Sequence, residues 1–175
     1  MPNGQVLSIT SHRGWAGASR WYGLSEPTTN RRCVAEWVLW QAMALVVGAL
    51  LALAAGLCGR VSGLDRDRAF YPTVAIVIAS YYSLFAVMGA STRALVVESL
   101  VGGAFLAVAV LGFRSSLWVV VVVLAAHGVF DLVHGTLVSN PGVPRWWPAF
   151  CLTYDVTASG YLAWLLASGR VRPAA

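Results

Sequence analysis

Residues 116–138 read SLWVVVVVLAAHGVFDLVHGTLV, and the only titratable side chains in this run are His127, Asp131 and His134. A helix rises about 1.5 Å per residue and the hydrocarbon core of a bilayer is about 30 Å thick, so about 20 apolar residues are enough to span it. The run therefore predicts a transmembrane helix. Four further blocks of similar length complete a predicted bundle of about five such helices: 34–58, 70–90, 94–113 and 148–168.

The composition of the whole chain indicates the same fold class. Of the 175 residues, 58% are hydrophobic and 11% are charged, and the mean hydropathy is +0.71. A soluble domain carries about 25% charged residues, so this chain has too few charged residues for a water-facing surface. We predict an all-α, multi-pass integral membrane protein. It would consist of a polar N-terminal segment (1–33), a single transmembrane domain (34–169) and a short tail (170–175).

The placement of the charged residues indicates membrane lipid, and not nucleic acid, as a partner. The formal net charge is +5, and all twelve basic residues are Arg. They stand singly or in pairs at the ends of apolar blocks, where anionic headgroups lie, and they form no run typical of nucleic-acid binding. The Arg counts on the two sides of the predicted bundle are equal. Arg31 and Arg32, directly before the first block, favour a cytoplasmic N-terminus.

Ionisable side chains inside the predicted spans are the main functional signal. An Asp at the centre of a membrane helix costs about 2.5–3.5 kcal/mol to insert, so such residues usually serve a function. At the rise of a helix, all of them lie about 6–16 Å deep from the membrane side of the N-terminus. The opposite halves of the blocks are apolar, and we expect the run Val119–Val123 there to face lipid. The predicted catalytic residues at this shared depth are Glu98, His127, Asp131, His134 and Asp155.

The spacing in the fourth block suggests two kinds of chemistry. His127, Asp131 and His134 stand at i, i+4 and i+7, which places them on one stripe of one helix. Two imidazoles and one carboxylate can coordinate a divalent transition metal, so these three residues are the predicted metal ligands. Glu98 and Asp155 could complete the coordination. The same set could instead carry out metal-free acid–base chemistry.

Aromatic residues at a similar depth predict a substrate pocket. The loop 141–148 is rich in Pro and would cap the polar residues. The leading hypothesis is an intramembrane enzyme that acts on a lipophilic small molecule, such as an isoprenoid or a sterol, by isomerisation, cyclisation or metal-assisted chemistry. Aromatic walls would suit a cationic intermediate. The predicted lining consists of Tyr81, Tyr82, Tyr154, Trp146 and Trp147.

Two other classes of function stay open. Buried His and carboxylate groups also build proton relays and metal paths, so a proton- or metal-handling transporter is one alternative. Against it, the polar groups stop half-way across the membrane, although a homo-oligomer could still build a pore. The other alternative is a structural subunit of a membrane complex, in which the polar residues only hold helices together.

Overall fold

The structure, a computed structural model, describes residues 27–171. Most of the predicted N-terminal segment (1–26) and the end of the tail (172–175) lie outside this range. The chain divides into a unit of residues 1–36 and a unit of residues 37–175, and the packing and the site below belong to the second. The described residues form five α-helices and one short 3₁₀ turn: α1 Pro27–Ser62, the turn Leu64–Arg66, α2 Phe70–Met88, α3 Thr92–Arg114, α4 Leu117–Leu137 and α5 Trp147–Ala167.

The predicted helical membrane bundle is confirmed. Within the described residues, the four helices α1 to α4 are each long and apolar enough to cross a bilayer. With 21 residues, α5 is about as long as the bilayer core is thick. It is less apolar because the stretch 152–160, LTYDVTASG, brings hydroxyl groups, a carboxylate and a glycine into its middle. That α5 is a fifth span, and that the N-terminus is cytoplasmic, stay predictions.

Local capping chemistry sets the helix ends. The hydroxyl of Ser91 accepts a hydrogen bond from the Ala94 backbone N–H (3.3 Å) at the start of α3. Ser116 does the same for Trp118 (3.4 Å) at the start of α4. The two helices that these caps precede begin at Thr92 and Leu117, within two residues of the predicted block edges. The first helix is longer than its block because a helix can continue into polar flanking residues that hydropathy does not detect.

Small residues let α1 approach α5. Gly48, Ala52 and Gly56 stand four residues apart and so share one face of α1. An added Cβ at Gly48 would collide with the backbone carbonyl of Phe150, and one at Gly56 would lie 2.7 Å from the Tyr161 ring. Such stripes allow close packing of membrane helices. The remaining contacts join α2 to α3 and α4, and α4 to α3 and α5.

The expectation that Val119–Val123 faces lipid is wrong for two of its five residues. Val120 is 0% exposed and Val123 is 4% exposed, and both belong to the core between the helices. Val122, by contrast, is 65% exposed. Five consecutive residues pass around the whole helix at 3.6 residues per turn, so a run of identical side chains cannot show which face is buried.

Candidate functional site

The five predicted ionisable residues are all buried, and the structure brings them together from three helices. Each is at most 4% exposed. Glu98 lies on α3, Asp155 lies on α5, and the other three lie on α4. They form two hydrogen-bonded groups one after the other along α4. Their catalytic role stays a prediction.

The first group centres on His127. Its Nδ1 lies 2.7 Å from Oδ2 of Asp155 and 3.6 Å from Oδ2 of Asp131. The Tyr82 hydroxyl donates a hydrogen bond of 2.5 Å to the other oxygen of Asp131. One imidazole nitrogen therefore faces two carboxylates from two helices, and a phenol from a third helix holds one of them. We call His127, Asp131, Asp155 and Tyr82 the His127 group.

The second group centres on Glu98. Its Oε1 lies 2.7 Å from Nε2 of His134 and also accepts a hydrogen bond of 2.9 Å from the Asn140 side-chain amide. The same amide nitrogen of Asn140 lies 3.0 Å from the backbone carbonyl of Tyr82. We call Glu98, His134 and Asn140 the Glu98 group. It joins α3, α4 and the loop after α4 to the middle of α2.

Tyr82 connects the two groups. Its ring stacks on the His134 imidazole with centroids 3.9 Å apart and 24° between the planes, while its hydroxyl reaches Asp131. Phe105 covers the edge of His127 at 4.9 Å. The sequence predicts Tyr82 as a pocket lining, but at 2% exposure it lies inside the polar cluster. The cluster is thus one continuous network enclosed by aromatic rings.

The geometry changes the predicted metal-ligand set by one residue. The potential ligand atoms of His127, Asp131 and Asp155 all lie within 4.8 Å of one another. His134 shares the stripe of α4 but lies two turns, about 10.5 Å, along the axis from His127. Its imidazole pairs with Glu98 instead. Sequence spacing identifies neighbours on one helix, whereas the third potential ligand beside His127 and Asp131 comes from another helix.

Gly128 allows Asp155 to come this close. A Cβ added at Gly128 would lie 3.2 Å from the Cβ of Asp155 and 3.2 Å from the carbonyl oxygen of Leu152. A side chain there would require Asp155 and the backbone of Leu152 to move by a few tenths of an ångström. The absence of a side chain at Gly128 therefore leaves room for Asp155 next to His127.

The loop after α4 is fastened to α2 by its backbone. An added Cβ at Gly142 would collide with the carbonyl of Phe85 and would lie 2.9 Å from the backbone nitrogen of Gly89. The side-chain oxygen of Asn140 accepts a hydrogen bond of 3.2 Å from the Gly142 N–H, while its amide reaches into the cluster. This packing holds the loop against α2, with Asn140 directed to the Glu98 group.

We expect Gly142→Ala to destabilise the protein by about 1–3 kcal/mol, because the loop must move away from α2 and carry Asn140 with it. The thermal unfolding midpoint of the detergent-purified protein should fall by about 2–4 °C per kcal/mol. Gly135→Ala in α4 is the matched control, since a Cβ there meets nothing within 4 Å. Equal midpoints for the two variants would contradict the packing of this loop.

A large apolar cleft lies beside the cluster. It has a volume of about 850 Å³ and is walled by α1, α2 and α5 together with residues of the connection between α1 and α2. Of the predicted pocket residues, Tyr81, Tyr154, Trp146 and Trp147 line it. None of the five ionisable residues does so. Cys151 lines the cleft, is 2% exposed and precedes Asp155 by about one helical turn.

The cleft and the cluster share two helices. Tyr81 faces the cleft while the next residue, Tyr82, belongs to the His127 group. In the same way Tyr154 lines the cleft, and Asp155 next to it pairs with His127. Successive residues on a helix point about 100° apart, so α2 and α5 present one face to the cleft and another to the cluster.

Sequence reasoning missed three contributors to this region. Asn140 was missed because the NPG motif by itself predicts only a turn. Its place directly after the polar face of α4 could have indicated a contact with the cluster. Gly128 could be suspected from its place beside His127. The α1 wall of the cleft, which includes Trp40 and Val47, gives no signal, because its apolar residues do not differ from lipid-facing ones.

Comparisons of the chain with protein-family models, with curated proteins and with solved structures gave no match. Two features of the chain itself bear on its function. One is the enclosed cluster of three carboxyls and two imidazoles. The other is the apolar cleft, which α2 and α5 line with faces other than those they turn to the cluster.

Proposed function

We propose that this chain is an intramembrane enzyme that rearranges a lipophilic small molecule by acid–base chemistry, as in isomerisation or cyclisation. The observation that carries the proposal is the position of the polar cluster directly behind a large apolar cleft. Pockets that bind small molecules usually have about 300–1,000 Å³ and a mostly apolar lining with few polar groups nearby. The cleft, at about 850 Å³, falls within that range.

The shape and lining of the cleft favour an elongated, rigid or branched hydrocarbon. On α2 alone its lining runs from Phe70 to Tyr81, which is about 16 Å along the helix. The aromatic residues concentrate toward one end, where Tyr81 and Trp147 are 5.1 Å apart between ring centroids. Aromatic faces stabilise a nearby cation, so this end suits a carbocation-like intermediate of an isoprenoid or sterol-like substrate. Such a substrate can enter sideways from the bilayer.

The His127 group supplies an acid and a base. An isomerisation of this kind removes a proton from one carbon and delivers a proton to another, while the electron pair of the double bond shifts between them. It consumes no co-reactant. His127 can accept or donate the proton, Asp155 orients its imidazole, and Asp131 is the second carboxyl within reach. Tyr82 fixes Asp131 from the far side.

The cluster is enclosed, so the substrate must reach it through the wall formed by α2 and α5. Cys151 lines the cleft, is buried and stands one turn before Asp155 on the wall that α5 contributes. We expect this part of the wall to move when substrate binds. Enzymes commonly enclose their reacting groups and open by such local motions.

The arrangement weighs against a transporter. Beyond the cluster, toward the start of α4, the buried residues of α4 are Leu117, Val120, Val123 and Leu124, each at most 4% exposed. A path for protons or metal ions would continue through polar groups, and these side chains offer none. The structural-subunit alternative is addressed by comparing stability with turnover in the variants described below.

The first experiment compares lipids from cells that do and do not produce the chain. Membrane extracts are separated by chromatography coupled to mass spectrometry. Isomerisation and cyclisation leave mass unchanged, so we expect one pair of lipophiles of equal mass whose ratio depends on the wild-type chain. His127→Gln should reduce the conversion by about 10²–10⁴-fold, the usual contribution of general acid–base catalysis. Val77→Trp, which fills the cleft one turn before Tyr81, should also abolish it.

Two matched controls make this comparison specific. Val96→Trp adds the same bulk to α3, outside the cleft. The two side chains are similarly exposed, Val96 at 55% and Val77 at 46%. Glu36→Gln makes a carboxyl-to-amide change at an exposed residue of α1 outside the cluster. If no equal-mass pair depends on the chain, the enzyme proposal fails. If Val77→Trp converts as well as Val96→Trp, the cleft is not the substrate site.

A further inference from the structure

The charges of the buried cluster do not balance. It contains three carboxyls and two imidazoles, so even with both imidazoles protonated the fully ionised cluster carries one net negative charge. Among the described residues, no Arg forms a salt bridge with Glu98, Asp131 or Asp155. An uncompensated charge in an apolar interior is expensive. Either a bound proton or a bound cation must supply the missing positive charge.

The structure indicates where a cation would bind. Oδ2 of Asp131 and Oδ1 of Asp155 are fully buried and have no hydrogen-bond partner among the described residues. The Glu98 group differs, because Oε1 of Glu98 is shared by His134 and Asn140. The unpaired acceptor capacity is therefore concentrated in the His127 group, where Oδ2 of Asp131 lies 3.6 Å from Nδ1 of His127.

We propose that His127, Asp131 and Asp155 bind one divalent transition-metal ion. One imidazole nitrogen and two carboxylate oxygens suit zinc or a neighbouring first-row metal, whereas Ca²⁺ takes six to eight oxygen ligands. Ligand atoms around tetrahedral zinc lie about 3.4 Å apart, given bond lengths of about 2.1 Å. The 3.6 Å distance from Nδ1 to Asp131 already fits, and the 2.7 Å distance to Asp155 must lengthen as the metal replaces the shared proton.

The protein supplies the support that such a site needs. Tyr82 donates a hydrogen bond to Oδ1 of Asp131, the oxygen that would not bind the metal. It thereby fixes the carboxylate, as hydrogen bonds around metal ligands commonly do. Gly128 leaves room for Asp155 next to His127. Three protein ligands leave a fourth position for water or substrate. The inference deepens the proposed function and rests on it only for the role of the metal, which would acidify a bound water. In the metal-loaded site, that water would take the acid–base role that His127 has in the metal-free site.

The test is a titration of the purified full-length chain in nanodiscs with Co²⁺ and with Zn²⁺, after removal of metal by chelation. Wild type should bind about one equivalent, and Co²⁺ should give the intense visible absorption of a tetrahedral site. Asp131→Asn and Asp155→Asn should each weaken binding by more than about 10²-fold, since changes to groups that only support the ligands already cost about 10–100-fold. Glu36→Gln, a carboxyl-to-amide change at an exposed residue outside the cluster, is the matched control and should bind like wild type. His134→Gln, in the neighbouring group, should weaken binding by less than Asp155→Asn does.

The metal site and the proposed function fail in different ways. If wild type binds neither ion, or if His134→Gln loses the ion as completely as Asp155→Asn does, the proposed ligand set is wrong. The wild-type titration does not depend on whether the variants fold. Conversion of the lipophile by metal-free wild type would overturn the role of the metal in the reaction and leave the enzyme proposal intact. If wild type binds metal but converts no lipophile, only the proposal that the chain is an enzyme is overturned.

Discussion

Asp155→Ala will destabilise the folded protein severely, by about 3–5 kcal/mol, because it leaves His127 buried without its closest partner. Hydrogen bonds between membrane helices average only about 0.6 kcal/mol, so a small effect is the competing expectation. The larger value should apply here because Asp155 is 0% exposed and His127 is 4% exposed, so water cannot replace the lost carboxylate. The free energy of unfolding in mixed micelles, measured by steric trapping, decides between the two values.

Asp155→Asn separates stability from activity at the same position. Its amide oxygen can still accept the hydrogen bond from Nδ1 of His127, so we expect the unfolding free energy to fall by only about 1 kcal/mol. A neutral amide cannot stabilise the protonated imidazole of His127 or replace a charged metal ligand, so conversion of the lipophile should fall by about 10²–10⁴-fold. If the chain is a structural subunit, Asp155→Ala should be equally destabilising, but Asp155→Asn should have no effect beyond its small loss of stability.

Most of the fold could be predicted because a bilayer requires it. A chain in hydrocarbon must satisfy its backbone within each helix, so apolar blocks of the right length mark helices directly. The starts of α3 and α4 lie within two residues of the predicted block edges, and a Ser hydroxyl caps each of them. Which face of each helix is buried could not be predicted. Val120 and Val122 have the same side chain, yet only the first is buried, because tertiary packing decides which face is covered.

The residues of the site could be identified from their depth, but their partners could not. A costly ionisable group is visible in any apolar block, so the five residues stand out individually. Pairing depends on which helices pack together and at what rotation. His127 and His134 share one stripe, yet the first pairs with Asp155 on α5 and the second with Glu98 on α3. Asn140 joins the second pair through a loop whose path the sequence does not specify.

The lining of the apolar cleft could likewise be predicted only in part. Four of the five predicted aromatic residues line it, because aromatic side chains near one depth tend to gather at one end of a bundle. Tyr82 is the exception, and its neighbour Tyr81 lines the cleft instead. A rotation of about 100° separates two consecutive residues, and nothing in the pair Tyr81-Tyr82 indicates which of them faces the cluster.

The Glu98–His134 pair should show strong coupling when it is replaced by apolar residues. Glu98→Leu alone leaves His134 buried at 2% exposure, and His134→Leu alone leaves Glu98 buried at 1% exposure. Each single change should cost about 3–5 kcal/mol, whereas replacing both members of a buried ion pair is often neutral or stabilising. We therefore expect the double variant to be more stable than either single variant, as measured by steric trapping in the same micelles.

The double variant also tests whether this pair does more than join α3 to α4. If the pair is only structural, a folded double variant should convert the lipophile as wild type does. If the Glu98 group positions the His127 group, conversion should fall although stability recovers, because Tyr82 stacks on His134 and holds Asp131 at the same time. Asn140 keeps its hydrogen bond to the Tyr82 carbonyl in either case, so the loop should stay in place. Single-variant costs that simply add in the double variant would show that the two residues are not energetically paired, and the 2.7 Å contact between them would then carry no stability.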